Sequence, residues 1–416
     1  MSGGVPAARR GRAGGGGSAS GAPVLVVGAG PVGLLLAARL LRLGVPTRLV
    51  DRRPEPSHGS RAIGVHPPGL DALASVGADA AVVEAGVRIV EGLAFGADGA
   101  LGSLPFDATT PVLAVPQAAS EAALQAALER AGGSVERGVT LTALRPGASG
   151  ALMATLLGTS EETFVTPIVV GCDGRDSSVR ALAGIAWRGG AYRDRYLMAD
   201  LPDTTALGPR AEIRLHRDGL VESFPLPGGW RRVVVRVADA EASASAVGLE
   251  PGRRGGAGLR VDAEVARRVC ALAEARGADR FDPDAARMTS RFGVERRLAR
   301  RFALGGVVLA GDAAHVLSPI GGQGMNLGWL DARALAEALA RGLERGEVAL
   351  RLELDAYARR RRSAALMATW RAECNTRLGR PVGVQAARLR DGLLRRALRP
   401  PFRGRLVGAF TMRGLA

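Results

Sequence analysis

Apolar residues fill Val24–Val27 without a break, and after a glycine cluster they return at helical spacing through residues 34–43 until Gly44 ends the run. A second β-type run at residues 47–50 closes on Asp51. Together they predict a strand, a helix and a strand in one βαβ unit. Residues 118–131 predict a helix stopped by Gly132 and Gly133, and residues 165–170 a buried strand. From Tyr196 to Val237 the period drops to two, in short alternating runs such as residues 211–215 and 231–237, parted by turn residues at 225–229. That is the pattern of an antiparallel sheet. Residues 241–258, rich in Gly, Ala and Ser, predict a loop, residues 261–275 a helix, Val307–Leu309 a strand and residues 325–342 another helix. The stretch from Leu352 to Ala416 is Arg-rich and mainly helical, and no segment repeats. Within it Arg359 to Arg362 read as a solvated helix face or a subunit contact.

Composition narrows this picture. A chain of 416 residues, 47% hydrophobic, is long enough for two closely joined cores. Residues 1–22 are mostly Gly, Ala, Ser and Arg without apolar periodicity, which predicts a disordered leader. Arg9 and Arg10 are not followed by an apolar stretch, so they do not form an export signal. The most apolar window, residues 24–38, is broken by glycines and too short to span a membrane. A formal charge of +16 invites a nucleic-acid partner, because clustered cations release phosphate counterions on binding. Here the excess is spread along the chain, aromatics are only 4%, and every basic residue is Arg, so no nucleic-acid partner is expected. Cys172, Cys270 and Cys374 form no CxxC pair and read as buried free thiols in a reducing, cytoplasmic compartment. The isolated His58, His66 and His216 suggest no metal site.

The chemistry sits in three motifs. Gly28, Gly30 and Gly33, with Pro31 and Val32 between them, follow a strand and open a helix, and Asp51 with Arg52 ends the next strand. A first glycine allows the tight turn, a second lets backbone amides approach a pyrophosphate, and a third lets the helix pack on the sheet. An acid at the position of Asp51 suits ribose hydroxyls, so the unit predicts dinucleotide binding. The second motif, AGDAAHVLSPIGGQGMNLGWLDA, places Gly311 and Asp312 on a turn. Through Pro319 it leads to a helix opened by Gly322, Gln323, Gly324, Met325 and Asn326. Asp312 suits another ribose hydroxyl, and the positive helix end suits the negative charge that a flavin ring carries once reduced. The third, VVGCDGRDSSVR, brings Asp173, Gly174 and Arg180 to one turn, where carboxylate and guanidinium suit nucleotide hydroxyls and phosphates.

In this order the motifs resemble those of the group A flavin-dependent aromatic hydroxylases, the para-hydroxybenzoate hydroxylase-like monooxygenases, over roughly residues 24–361. The resemblance implies an α/β fold. A Rossmann-like FAD-binding domain of the glutathione reductase type is interleaved with an antiparallel-sheet substrate domain and followed by a C-terminal helical region. The division expected is FAD-binding at 23–195 with a sheet excursion near 88–112, substrate domain at 196–284, FAD-binding again at 285–350, and helices at 351–416. It also implies non-covalent FAD, with NADPH or NADH as reductant, and dioxygen added through a flavin hydroperoxide to an aromatic, phenolic or polyketide-like substrate. It picks out Arg61 and Gln117 as further FAD contacts. Pro319 would shape the pocket above the flavin and His315 is the candidate acid or base, while His216, Phe224 and Trp230 of the antiparallel segment are candidate substrate contacts. Trp329 stands where the family more often has a smaller apolar residue, and Asp51 where many members have Glu. A homodimer is the assembly expected. A flavin halogenase would need a relay lysine, and the chain has none. A flavin reductase without oxygen insertion and a non-catalytic flavin binder remain as alternatives.

Overall fold

Strand Val24–Val27 occupies the centre of a six-stranded sheet because all four of its residues are apolar and none is more than 5% exposed. Thr47–Asp51 and Val169–Gly171 flank it in parallel; beyond them lie Val135–Arg137 at one edge and, on the other side, Val307–Leu309 and Ala303–Leu304. Near-continuous apolar runs suit such a sheet, since helices cover both faces. The helix Pro31–Arg42 buries Leu34, Leu35, Leu36 and Leu40, each contributing roughly 1.5–3 kcal/mol over its exposed state. The computed structural model describes residues 22–56, 62–107, 111–237 and 261–415. Residues 1–21 of the expected leader, His58, Arg61 and the expected loop at 241–258 lie outside the described residues.

One expected strand is in fact two. Residues 165–170 split at Pro167: Glu161–Thr166 pairs antiparallel with Leu152–Leu157 in a small three-stranded sheet, whereas Val169–Gly171 enters the centre of the parallel sheet. Proline lacks the amide that would continue the ladder, so the chain changes sheets there.

The second large sheet has eight strands, in the order His315–Val316, Met288–Ala299, Trp187–Pro202, Trp230–Val237, Gly219–Leu226, Arg210–His216, Glu91–Gly96, Gly99–Pro105. Alternation gives it two faces. One presents Leu197, Ala199, Val221, Val233 and Val235 to the helix Ala263–Ala275, which covers them with Val265, Val269 and Ala273. The opposite face presents Tyr196, Met198, Val234, Met288 and Phe292, and onto it pack Ile320 of the Pro319 turn and Leu398 near the C-terminus. Met288–Ala299 pairs with Trp187–Pro202, so a strand from the 285–350 stretch completes this sheet as well. Four helices, Gln323–Arg345, Glu347–Leu378, Val384–Ala397 and Arg403–Phe410, follow. Among the described residues no helix is long and apolar enough to cross a membrane.

Candidate functional site

Two glycine turns, 283 residues apart as Gly28 and Gly311, interlock at the mouth of the parallel sheet. Gly28 has φ +103, and a Cβ there would lie 2.6 Å from the carbonyl oxygen of Cys172 on the neighbouring chain segment. Only glycine takes that backbone without strain. At Gly33 a Cβ would collide with the carbonyl oxygen of Gly28, so the helix lies directly on the turn. Gly30 differs: among the described residues nothing stands within 4 Å of where its Cβ would be, and the helix Pro31–Arg42 has no side-chain cap there. Its first amides therefore face open space, the arrangement that receives an anion. Val32 reaches across to the late turn, and a Cβ on Gly311 or Gly328 would fall within 2.9 Å of its methyl groups. The indole of Trp329, fully buried, donates to the carbonyl of Pro31 at 3.2 Å. The larger residue at this position thus ties the late helix to the early turn.

The late turn has a second uncapped helix start. Gly321 and Gly322 have φ +91 and +65, the helix Gln323–Arg345 begins with no side-chain cap, and a Cβ on Gly324 would meet nothing within 4 Å. Met325 is half-buried, and Asp312 and Pro319 are exposed.

Asp51 sits beside the early turn, 4% exposed. Its carboxylate accepts from the amide of Ala29 at 2.7 Å and from the Arg53 side chain at 3.1 and 3.2 Å. Burial would raise its pKa, but the Arg53 guanidinium and the two backbone amides more than offset this and hold it below the usual range. Arg53 is therefore the cation at this acid, whereas the expected Arg52 is exposed. Gln117 opens the helix Gln117–Arg130 and donates to Glu121 at 2.7 Å.

A scan of family models matches the FAD binding domain over residues 21–372. Rifampicin monooxygenase of Streptomyces venezuelae is 34% identical over 323 residues, covering 76% of this chain and 63% of that protein. The 6-methylpretetramide 4-monooxygenase of Streptomyces rimosus is 35% identical over 364 residues, covering 82% of this chain and 59% of that protein. The chain thus spans about three fifths of the length of these curated relatives. In fold it is similar to the crystal structure of p-nitrophenol 4-monooxygenase from Pseudomonas putida DLL-E4, with TM-score 0.80, 23% identity and coverage of 94% of this chain and 98% of the other.

The chain belongs to the FAD-binding family of group A aromatic hydroxylases. FAD is the cofactor of this family, and the residues present fit it. Two uncapped helix starts, at Gly30 and Gly322, adjoin positions where a side chain would meet only space, as a dinucleotide requires. Two buried acceptors, Asp173 Oδ1 and Gln323 Oε1, have no protein partner among the described residues and are left for the cofactor's donors.

Several expected contacts turn inward instead. The Arg180 guanidinium donates to the carbonyls of Ala313 at 3.1 Å and Arg175 at 3.0 Å and stacks 3.7 Å over Trp187. It braces the second nucleotide turn against the third. Asp173 spends Oδ2 on the amides of Ser178 and Val179, holding the start of the helix Ser178–Leu182, and Gly174 takes φ +79 beside it. The side chain of Asn326 accepts from the amide of His66 and donates to the carbonyls of Gly64 and Gly322, so only its backbone remains for a ligand.

His315 is sealed from any pocket. It is fully buried, with Nε2 against Asp331 Oδ2, which accepts also from the amide of Gly311 at 3.1 Å. That position makes it a brace for the Gly311 turn rather than a proton donor to a substrate. The other oxygen of Asp331 accepts from Arg361 at 2.7 Å, and Arg361 donates onward to the carbonyl of Leu415. Arg361, expected on a solvated helix face or in a subunit contact, is 4% exposed and paired within the chain.

Of the substrate candidates, Phe224 packs with Phe106 and Phe410 in a cluster beside His66. His216 points to the other side of the sheet: its neighbour Leu215 lies on the face that carries Ile320, and strand alternation sends the imidazole the opposite way. Trp230 is covered by the Arg287 guanidinium, 4.3 Å over its ring. His66 is the site residue that the sequence does not announce. It is buried, its pKa is lowered to about 4 by burial, and its Nε2 donates to the carbonyl of Gly321 at 3.2 Å. With the family in hand, its place between the SRA segment and a Pro–Pro helix start is the only signal that could have marked it.

Proposed function

We propose that this protein is an FAD-dependent monooxygenase that hydroxylates an aromatic, phenolic or polyketide-like molecule with NADPH or NADH and dioxygen. The observation that carries this reading is the junction at Ile320: the turn that opens the uncapped helix Gln323–Arg345 also packs on one face of the antiparallel sheet. A ring held on that face lies next to the helix start. Bound FAD supplies hydride acceptance and oxygen activation. The chain's own residues do the rest. Amides at the start of Gln323–Arg345 stabilise negative charge, Pro31–Arg42 holds the pyrophosphate, and the apolar side chains around Ile320 exclude water. Asp51, Asp312 and Gln117 are proposed ribose and ribityl contacts, and Pro319 the edge of the substrate pocket. Relatives that act on rifampicin and on 6-methylpretetramide support a polycyclic, polyketide-like substrate.

The test is oxidation of NADPH or NADH by the FAD-loaded protein across phenols and polyketides under isotopically labelled dioxygen. A single labelled oxygen in the product is expected. Stimulated oxidation without label would instead indicate a reductase, and FAD binding without stimulation a non-catalytic binder. The proposal extends to a cytoplasmic homodimer. Leu366, Met367 and Trp370, 46%, 47% and 62% exposed on one helix, support self-association there. Sedimentation should give a dimer that Trp370→Glu dissociates; a monomeric parent would remove that part.

A further inference from the structure

The sheet face that carries Ile320 holds charged side chains in a fixed pattern. Register places Met198, Val234, Glu222 and Ile213 side by side across four strands. In the row on one side lie Asp200 and Arg232, joined at 2.7 and 2.9 Å. In the row on the other lie Tyr196, Arg236 and Leu220, with Arg236 joined to Asp194 at 2.9 Å and Asp194 also held by Arg380 at 2.7 Å. Both neighbouring arginines are thus matched by carboxylates of their own. Glu222, 5% exposed, makes no hydrogen bond or ion pair among the described residues. Tyr196 is 1% exposed, stacked on Phe292, and its hydroxyl has no partner either. The helices near this face bring Arg390 and Asp391, joined to each other at 3.0 Å, and Arg403 and Arg405.

A buried carboxyl and a buried hydroxyl without partners cost stability unless something else satisfies them. We propose that Glu222 selects the substrate, accepting a hydrogen bond from a phenolic hydroxyl of the ring and turning away rings that present a carboxylate there. This rests on the hydroxylase reading above, since it takes the Ile320 face as the substrate face. Tyr196 supplies the second polar contact from two strands away. Burial pushes Glu222 up to about 7, and its charge together with that of Asp194 adds to the burial that raises Tyr196. Near neutrality Glu222 therefore exists in both forms. The carboxylate takes a hydroxyl; only the protonated form tolerates an arene carboxylate.

Two probes of one shape separate the forms: 2-naphthol, whose hydroxyl stays protonated near neutrality, and 2-naphthoate, ionised throughout. Titration calorimetry on the FAD-loaded protein without reductant reads their binding. From about pH 6 to about pH 8 the affinity for 2-naphthol should rise about tenfold while that for 2-naphthoate falls by a similar factor, the change expected for one coupled proton titrating midway. In Glu222→Gln both slopes should flatten. The variant keeps the size of the protonated acid. Its folding is checked by thermal midpoint. A buried acid whose folded pKa is raised loses stability as pH climbs from its ordinary value to the raised one, so near pH 8 the glutamine variant should melt no lower than the parent. Parallel slopes for the two probes, slopes that survive Glu222→Gln, or no binding of 2-naphthol would each overturn the inference. A protein that fails here but inserts labelled oxygen keeps the hydroxylase reading; one that passes here and inserts none loses that reading alone.

Discussion

Replacing Asp331 with alanine is expected to destabilise the protein by about 3–5 kcal/mol, the range for breaking a buried ion pair by removal of one partner. Asp331 is fully buried and takes hydrogen bonds from Arg361, His315 and the amide of Gly311. Without it the Arg361 charge stays buried, tied only to the carbonyl of Leu415, and the Gly311 amide has lost its acceptor. The damage should not stop at stability. Gly311 leads the turn that carries Asp312, so FAD should also dissociate more readily. Denaturant unfolding of the FAD-loaded protein measures the first effect and flavin fluorescence the second; a loss below about 1 kcal/mol would place the pair among weak surface bridges and refute the account. A pH signature accompanies it. Burial alone would raise the Asp331 pKa, yet His315 and Arg361 more than offset this and hold it below the usual aspartate range. The sign follows: an acid with a depressed folded pKa contributes stability above its unfolded pKa and loses it as pH falls through the folded one. Acid unfolding of Asp331→Asn should therefore be less steep below about pH 4 than that of the parent.

The early turn offers a contrast between two glycines three residues apart. At Gly33 a methyl group would collide with the carbonyl oxygen of Gly28, a backbone atom that cannot swing away. Gly33→Ala should cost about 3 kcal/mol or more, the upper end of overpacking penalties, and release FAD through a displaced helix. Gly30→Ala should behave differently. Nothing lies within 4 Å of its Cβ and its φ of −80 suits any residue, so the FAD-free protein should melt within a few degrees of the parent. FAD affinity should still fall about tenfold or more, because the methyl occupies the space through which backbone amides approach a pyrophosphate. Thermal melting without FAD and an FAD titration separate the two. If Gly30→Ala bound FAD as tightly as the parent, the open space there would not be the pyrophosphate seat.

Whatever depends on a few consecutive residues was legible in advance. The glycines at 28, 30 and 33 announce a turn and a helix start because their spacing meets local backbone needs, and the strand before them is a short apolar run. The late GD turn and its helix could be read for the same reason, as could the change of period that marks the antiparallel sheet. A boundary failed at Pro167, where one expected strand hid a change of sheet, and the Arg53–Asp51 pair was not legible, because it takes strand alternation and a turn to bring that guanidinium back to the acid.

The sequence by itself determined the family, the cofactor and the two places where backbone amides gather, since those follow from local backbone freedom and motif order. Only the tertiary structure decided which charged side chains are buried together and which are left over. Arg361 looks like its exposed neighbours until a helix 30 residues away supplies Asp331, and His66 gains its partner from Gly321, 255 residues on. Among the described residues Glu222 stands unmatched because strand register gives each nearby arginine to another acid. Such pairings turn on register and on which face a side chain takes, and both are settled only when distant strands and helices close on one another.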